Sequence, residues 1–398
     1  MFGIMAQCWL FGTFMNLVNR TSSPRVLLGG LSAQQFMKRH WQRRPLLVRQ
    51  AWPGVEPPVS RPALFELCAQ EDVESRCIEQ DRDGGWRLRH GPLQRRQLPP
   101  LSRVGWTLLV QGLDLHSDAA HSMMKAFDFI PRVRLDDLML SWASDGGGVG
   151  PHLDSYDVFL LQVHGQRRWR VGPPGDTRLV PGLPLRILAN FEPQEEWLLE
   201  PGDMLYLPPG WGHEGVAVGG DCMTASIGFR APTAGELANA LLQRLADEIE
   251  DGGAAWPRRR FADRGRLAAE KLGEVPADLQ RFARDGLARA LADPEAGARA
   301  LGGWLTEPKP QVWFPPGREG LEAGHGVCVD RRSRMAYDQQ HLFINGEAYR
   351  VGGLDGRLLR RLTDEQTLDS RACARLSPQA RLALEEWLAL GWLRPYPC

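Results

Sequence analysis

The sequence predicts a mixed α+β chain: a β-barrel or double-sheet jelly roll, then a helical segment, then a small winged-helix-like α/β module. Three observations predict it. Between residues 134 and 229, short β-prone runs alternate with turns such as Asp145-Gly-Gly-Gly and Val171-Gly-Pro-Pro-Gly, which is the punctuation of a barrel or jelly roll. After Pro232, apolar residues recur at helical spacing: Leu237, Leu241, Leu245 and Ile249, then Leu279, Phe282, Leu287 and Leu291. From residue 304 the character changes again, with Pro308-Lys-Pro and Phe314-Pro-Pro-Gly ahead of a β-like Leu342-Phe343-Ile344 and an amphipathic helix at 382–390. The segments expected are therefore 1–24, 25–231, 232–303 and 304–398.

Residues 1–24 contain Trp9-Leu10-Phe11 and Leu17-Val18 but lack the basic start and small-residue cleavage site of a signal peptide. They are expected to form a disordered extension, with Met15 as an alternative start. Ser32 is placed to cap a helix running through Phe36, His40 and Trp41, which Pro45 ends, and Leu46-Leu47-Val48 reads as a short strand. Residues 60–130 alternate helical and extended pieces, and their histidines, His90, His116 and His121, have no partner at ligand spacing. They read as surface or packing residues. The barrel strands are expected at 133–142, 156–163, 166–171, 183–188, 204–207 and 222–229.

Composition excludes several function classes. The 48 basic and 48 acidic residues cancel, so no long-range field favours nucleic acid or an anionic membrane. Positions 21–50 hold six basic residues and no acidic one, which reads as a solvated helix face in an Arg-rich chain in preference to a contact surface for RNA or a ribosome-like partner. The last segment has 13 basic against 12 acidic residues, so direct DNA binding is not expected. No apolar run approaches the roughly 18 residues that cross a bilayer. Seven cysteines form no CxxC pair, a pattern expected of reduced thiols in a cytoplasmic protein.

The chemistry centres on Pro151-His152-Leu153-Asp154 and on Gly202 to His213. Side chains two apart on a strand share a face, so His152 and Asp154 can reach one ion. His213 follows a strand-like Met204-Leu-Tyr-Leu run and a Pro-Pro-Gly turn, which makes it the candidate third ligand. Two histidines and a carboxylate on one face of an ion, with the other positions open, is the donor set of non-haem Fe(II) oxygenases. The bland alternative is three separately hydrogen-bonded residues of an unremarkable barrel. Such iron needs electrons to use dioxygen, and 2-oxoglutarate is their common source; its distal carboxylate requires a fixed cation. In Gln166-Arg-Arg-Trp-Arg-Val171 alternation puts Arg167 on the apolar face with Trp169 and Val171, and turns Arg168 and Arg170 outward. Arg167 is thus the candidate carboxylate binder.

Several stretches together resemble the bacterial JmjC-type ribosomal oxygenases: Leu27-Leu-Gly-Gly-Leu, Trp41-Gln-Arg-Arg-Pro-Leu-Leu, Gly146-Gly-Gly-Val-Gly-Pro-His-Leu-Asp, Asp157-Val-Phe-Leu-Leu-Gln, Arg168-Trp-Arg-Val, residues 201–215 and Ser226-Ile-Gly-Phe-Arg-Ala-Pro. The likeness runs from about residue 25 to the end and is strongest over 134–232. It implies a JmjC, cupin-like double-stranded β-helix over 25–231, a helical dimerisation region over 232–303 and a winged-helix-like domain over 304–398. It also implies hydroxylation of an arginine in a large-subunit ribosomal protein by a homodimer. Iron falls on His152, Asp154 and His213, and 2-oxoglutarate on Arg167. The resemblance adds a substrate pocket of Asp137, Met139, Tyr156 and Ser226, in which a carboxylate and a hydroxyl bond a guanidinium while Tyr156 and Met139 flank its plane. Two departures, Thr224 where related sequences often carry Asn and an insertion at Gly219-Gly220, bear on contacts to the cosubstrate's other carboxylate. Competing expectations are the same chemistry on a histidyl residue, an RNA base or a small molecule, and a non-catalytic cupin-like scaffold.

Overall fold

The structure is a computed structural model that describes residues 24–396 except 82, 251–259, 266, 269, 270, 319, 322 and 323. Residues 1–23 of the expected extension, with Met15, lie outside the described residues. The chain divides into two compact units at Ala231/Pro232.

The first unit is organised by one antiparallel sheet. Its strands are β1 (Leu46–Val48), β2 (Ser75–Gln80), β3 (Trp86–His90), β4 (Trp106–Val110), β5 (Leu135–Ala143), β6 (His152–Leu153), β7 (Asp157–Gly172), β8 (Glu195–Leu199), β9 (Met204–Leu207) and β10 (Gly212–Phe229). The order is β1-β9-β7-β10-β5-β4-β2-β3, with β6 also paired to β10 and β8 to β7. This is the jelly-roll architecture expected, with three corrections to its strands. The runs 156–163 and 166–171 are one continuous strand, and 222–229 extends back to Gly212. In both cases glycine explains the apparent break: Gly165 (φ +62°) turns β7, and Gly219 and Gly220 (φ +75° and +140°) turn β10, without ending either strand. The run 183–188 is not a strand; the segment closes on itself through a single Leu179–Leu188 bridge.

The helix Ala33–Arg39 starts at a capping box of Ser32 and Gln35 and ends with His40 as its C-cap, so Trp41 and the residues up to Pro45 lie beyond it, unlike the expectation. The His40 ring bonds the Pro45 carbonyl (3.0 Å) rather than continuing the helix. Aromatic packing and a buried polar network fasten this segment to the barrel. Phe36, Trp41, Phe127, Phe159, Tyr206 and Phe229 form a buried aromatic cluster. At its edge the Tyr206 hydroxyl donates to Asp157 Oδ1 (2.6 Å) and accepts from the Gln42 backbone N–H (2.7 Å), while Gln42 Nε2 donates to Asp157 Oδ2 (3.0 Å). Gln42 is held at φ +54° there, a conformation that costs of order 1–3 kcal/mol unless its surroundings enforce it.

In the second unit, helices Ala234–Glu250, Ala277–Ala292 and Pro294–Thr306 precede two three-stranded sheets and the helices Gly353–Glu365, Ser370–Ala374 and Pro378–Ala389. Leu342, Leu362, Leu384 and Trp387 form its fully buried centre. Leu245 packs with Ala296 and Ala300, and Leu241 lies against them. That stripe is internal packing. Among the described residues, the exposed large apolar side chains of the first three helices are Leu242, Ile249, Leu279, Leu287, Leu291 and Leu301. Among the cysteines, Cys68, Cys77, Cys222 and Cys373 are free and buried; burial pushes the Cys68 and Cys77 thiols up to about 11, leaving them unreactive. Cys328 is disulfide-bonded, so the expectation of reduced thiols does not extend to it.

Tyr206→Phe removes the hydroxyl that both the Gln42 backbone and the buried Asp157 carboxyl depend on. Leaving these groups short of a partner costs roughly 1–3 kcal/mol, so chemical denaturation is expected to show a lower midpoint with an unchanged slope. An unchanged midpoint would contradict the anchoring role.

Candidate active site

Strand register assembles the metal-ligating group. β6 pairs with β10 so that His152 stands directly opposite His213, and their rings lie 4.2 Å apart. Asp154 follows at the end of β6, where the Gly210 backbone N–H donates to its carbonyl at 2.8 Å. His213 Nε2 is 3.5 Å from Asp154 Oδ2, and His152 Nε2 is 3.9 Å from Asp154 Oδ1. The donor atoms of all three residues lie within 4.8 Å of one another. Each histidine turns its other nitrogen to the backbone: His152 Nδ1 to the Gly150 carbonyl (2.9 Å), His213 Nδ1 to the Trp211 carbonyl (3.0 Å). Such bonds fix the tautomer with Nδ1 protonated and leave both Nε2 atoms to face an ion. Two imidazoles and one carboxylate therefore fit a divalent transition metal, iron included.

The glycine loop before His152 allows this approach. The Gly146 and Ala217 backbones bond each other across it through the Gly146 N–H to Ala217 carbonyl and Ala217 N–H to Gly147 carbonyl contacts, both 2.9 Å. A Cβ at Gly148 would stand 2.5 Å from the Gly215 carbonyl oxygen, so a side chain there would force the loop off β10.

Electrostatics match the donor set. Burial, then the neighbouring His213, pushes His152 down to about 4, so it is neutral near pH 7. Burial favours a neutral Asp154, but its hydrogen bond from His213 and the charges of both histidines win and hold the carboxyl below its usual range. His213 is the reciprocal case: burial disfavours its charge, yet the Asp154 bond raises its pKa.

Arg167, Trp169 and Val171 are buried while Arg168 and Arg170 are exposed, as alternation requires. Arg167 is 3 % exposed. Its guanidinium donates from Nη1 to Ser141 Oγ (3.0 Å) and Thr224 Oγ1 (3.4 Å) and from Nη2 to the Gly215 carbonyl (3.2 Å), and it lies over Trp169. Of its five N–H groups three are used, and among the described residues no carboxylate forms an ion pair with it. A buried cation with spare donors and no counter-charge is a prepared anion seat. Burial accordingly lowers its pKa.

All eight residues singled out in the sequence, His152, Asp154, His213, Arg167, Asp137, Met139, Tyr156 and Ser226, line one cavity of about 340 Å³. β5 presents Asp137, Met139 and Ser141 on one face, and the register sets Met139 beside Ser226 and Ser141 beside Thr224. Asp136 also reaches the cavity and pairs with Arg230 (3.0 Å), and Asp137 is 5 % exposed. The sequence reading missed Ser141, although strand alternation from Met139, which the resemblance supplied, points to it. It also missed Arg76 and Gln111, which join by a 3.0 Å bond and line the cavity from β2 and the end of β4. His90, read as a surface or packing residue, is exposed and lines the cavity too. No local motif marks these three.

Residues 122–237 match the JmjC domain and residues 289–394 the ROXA-like winged helix. The chain is 38% identical over 257 residues to the ribosomal protein uL16 3-hydroxylase of Escherichia coli, covering 63% of this chain and 67% of that one. It is 35% identical over 359 residues to a probable ribosomal oxygenase of Haemophilus influenzae, covering 85% and 87%. The solved structure of YcfD, a ribosomal oxygenase from Escherichia coli in complex with cobalt and 2-oxoglutarate, superposes with a TM-score of 0.76 at 27% identity, over 92% of this chain and 98% of that one. A JmjC barrel with a two-histidine, one-carboxylate cluster, a buried arginine beside it and a ROXA-like winged helix behind it in sequence place this chain in the family of JmjC ribosomal oxygenases.

Proposed function

We propose that this protein is an Fe(II)- and 2-oxoglutarate-dependent oxygenase that hydroxylates an arginine of the large-subunit ribosomal protein uL16 in the cytoplasm. The observation that carries the reading is the presence, in one cavity with the metal-ligating cluster, of a buried cation at Arg167 and a buried carboxylate at Asp137. One holds an anionic cosubstrate and the other suits a cationic substrate side chain. When bound, iron with 2-oxoglutarate and dioxygen supplies the oxidant that converts a C–H bond into C–OH, 2-oxoglutarate leaving as succinate and carbon dioxide. The chain's own residues position and shield. His152, Asp154 and His213 hold the ion on one face; Arg167, with Ser141 and Thr224, fixes the cosubstrate's tail. Asp137 and Ser226 bond the substrate guanidinium, and Tyr156 and Met139 flank it, so the target carbon is held toward the ion. Among the described residues no helix is long and apolar enough to cross a membrane.

The assay is succinate release with iron, 2-oxoglutarate and a uL16 fragment. Asp154→Ala and His213→Ala are expected to abolish it while folding normally, since the β6–β10 pairing does not depend on the ion. Near wild-type activity in either would remove the site. Metal binding also carries a pH signature. His152 is already neutral and Asp154 ionised, so the proton to be displaced is the one that the Asp154 bond holds on His213. A raised pKa means that this proton is present at lower pH and lost as pH rises, so affinity for Mn(II) is expected to strengthen with rising pH and to release a proton in calorimetry. Affinity independent of pH would contradict it.

Asp137 decides between an arginine and a neutral target such as a histidyl residue or a base. Removing one partner of a desolvated charge pair costs roughly 2–5 kcal/mol, about 30- to several thousand-fold in turnover. Asp137→Ala should lose the arginine fragment but keep metal and 2-oxoglutarate binding, and lysine in place of the target arginine should fail because an ammonium cannot lie flat between Tyr156 and Met139. Normal hydroxylation by Asp137→Ala would transfer the reading to a neutral substrate.

The segments 25–231, 232–303 and 304–398 are read as catalytic, dimerising and winged-helix domains. A homodimer is supported by the exposed leucines of the helical segment, Leu242, Leu287 and Leu291. Light scattering is expected to give twice the monomer mass, falling to the monomer in Leu287→Glu/Leu291→Glu; a wild-type monomer at micromolar concentration would rule the dimer out.

A further inference from the structure

Gly215 lies on β10 two residues beyond His213 and directly opposite Trp169 on β7. Both of its neighbours press on it. A Cβ built at this position would stand 2.7 Å from Arg167 Nε, 2.7 Å from Trp169 Cζ3 and 2.8 Å from Trp169 Cη2, far inside contact distance. The Arg167 Nε and Trp169 Nε1 atoms are both buried without a hydrogen-bond partner. The guanidinium therefore takes its orientation from three things: the hydroxyls of Ser141 and Thr224, the Gly215 carbonyl, and the flat space that the missing Cβ leaves over the indole. β7 and β10 are paired on both sides of this point, so neither strand can retreat to make room. The give must come from the side chains.

We propose that Gly215 is a positioning residue for the anionic cosubstrate: it touches no ligand, but its bare Cα lets the Arg167 guanidinium lie over Trp169 with spare N–H groups turned into the cavity. The inference rests on the reading of Arg167 as the 2-oxoglutarate anchor. A methyl group at residue 215 pushes the guanidinium off its seat and weakens the carboxylate contact without disturbing the three metal ligands.

The test is binding, read without turnover. Wild type, Gly215→Ala, Trp169→Phe and the double variant are loaded with Mn(II) under anaerobic conditions, and affinities for Mn(II) and then 2-oxoglutarate are measured by calorimetry. Gly215→Ala is expected to bind Mn(II) as wild type does and 2-oxoglutarate on the order of tenfold more weakly or worse, the scale of a displaced positioning contact. The double variant should recover part of that loss, because the smaller ring yields space, while remaining weaker than Trp169→Phe alone, because the crowding at Arg167 Nε persists. If Gly215→Ala fails to fold, the comparison of the double variant with Trp169→Phe alone decides: equal affinity overturns the proposal. Wild-type 2-oxoglutarate affinity in Gly215→Ala, or equal losses for Mn(II) and 2-oxoglutarate, also overturns it. Failure of wild type itself to bind 2-oxoglutarate would instead overturn the cosubstrate assignment.

Discussion

The register of β10 is the constraint on which the rest of the first unit depends. This strand is paired along its length with β7, over its second half with β5 and at its start with β6. The side-chain period of a strand is two, so a slip of one residue would turn every cavity-facing group to the other side. His213, Gly215, Thr224 and Ser226 belong to β10, and each meets its counterpart, His152, Trp169, Ser141 and Met139, only in the observed register. The metal-ligating cluster and the residues proposed to hold cosubstrate and substrate are thus set by one alignment. The two glycine corners, at Gly165 and Gly219-Gly220, let both long strands change direction without losing it.

Within that frame the costly element is Arg167. Burying a guanidinium without a counter-charge is unfavourable, and the protein meets the cost with neutral partners only: two hydroxyls, a carbonyl and an indole face. Neutral partners hold the cation in place, which is what the proposed cosubstrate anchor requires. The same cavity also holds a buried carboxylate, Asp137 on β5. Holding both a buried cation and a buried carboxylate, the cavity suits the pairing of an anionic cosubstrate with a cationic side chain proposed above.

Much of this was legible in the sequence because it follows from alternation. His152 and Asp154 two apart, and Arg167 in step with Trp169 and Val171, needed only the period of a strand. The same rule would have yielded Ser141 from Met139. What alternation cannot supply is partnership between distant strands: Arg76 and Gln111 sit in stretches with ordinary composition and become part of the cavity only because β2 and β4 extend the sheet beside β5. Glycine misled twice for one reason, since it breaks a strand pattern in sequence but merely bends the strand in space. Helical periodicity likewise located the helix Ala234–Glu250, but could not tell which apolar stripe faces a neighbour within the unit. Leu241 and Leu245 pack on Ala296 and Ala300, and Leu242 and Ile249 are exposed.

The central claim is that this cavity couples consumption of 2-oxoglutarate to oxygenation of one arginine. Incubating the protein with Fe(II), 2-oxoglutarate, recombinant uL16 and isotopically labelled dioxygen, followed by peptide mass spectrometry, tests it most directly. The account predicts one labelled oxygen on a single arginine, in step with succinate formed. Succinate released without label in uL16, or label confined to a residue other than arginine, would contradict it.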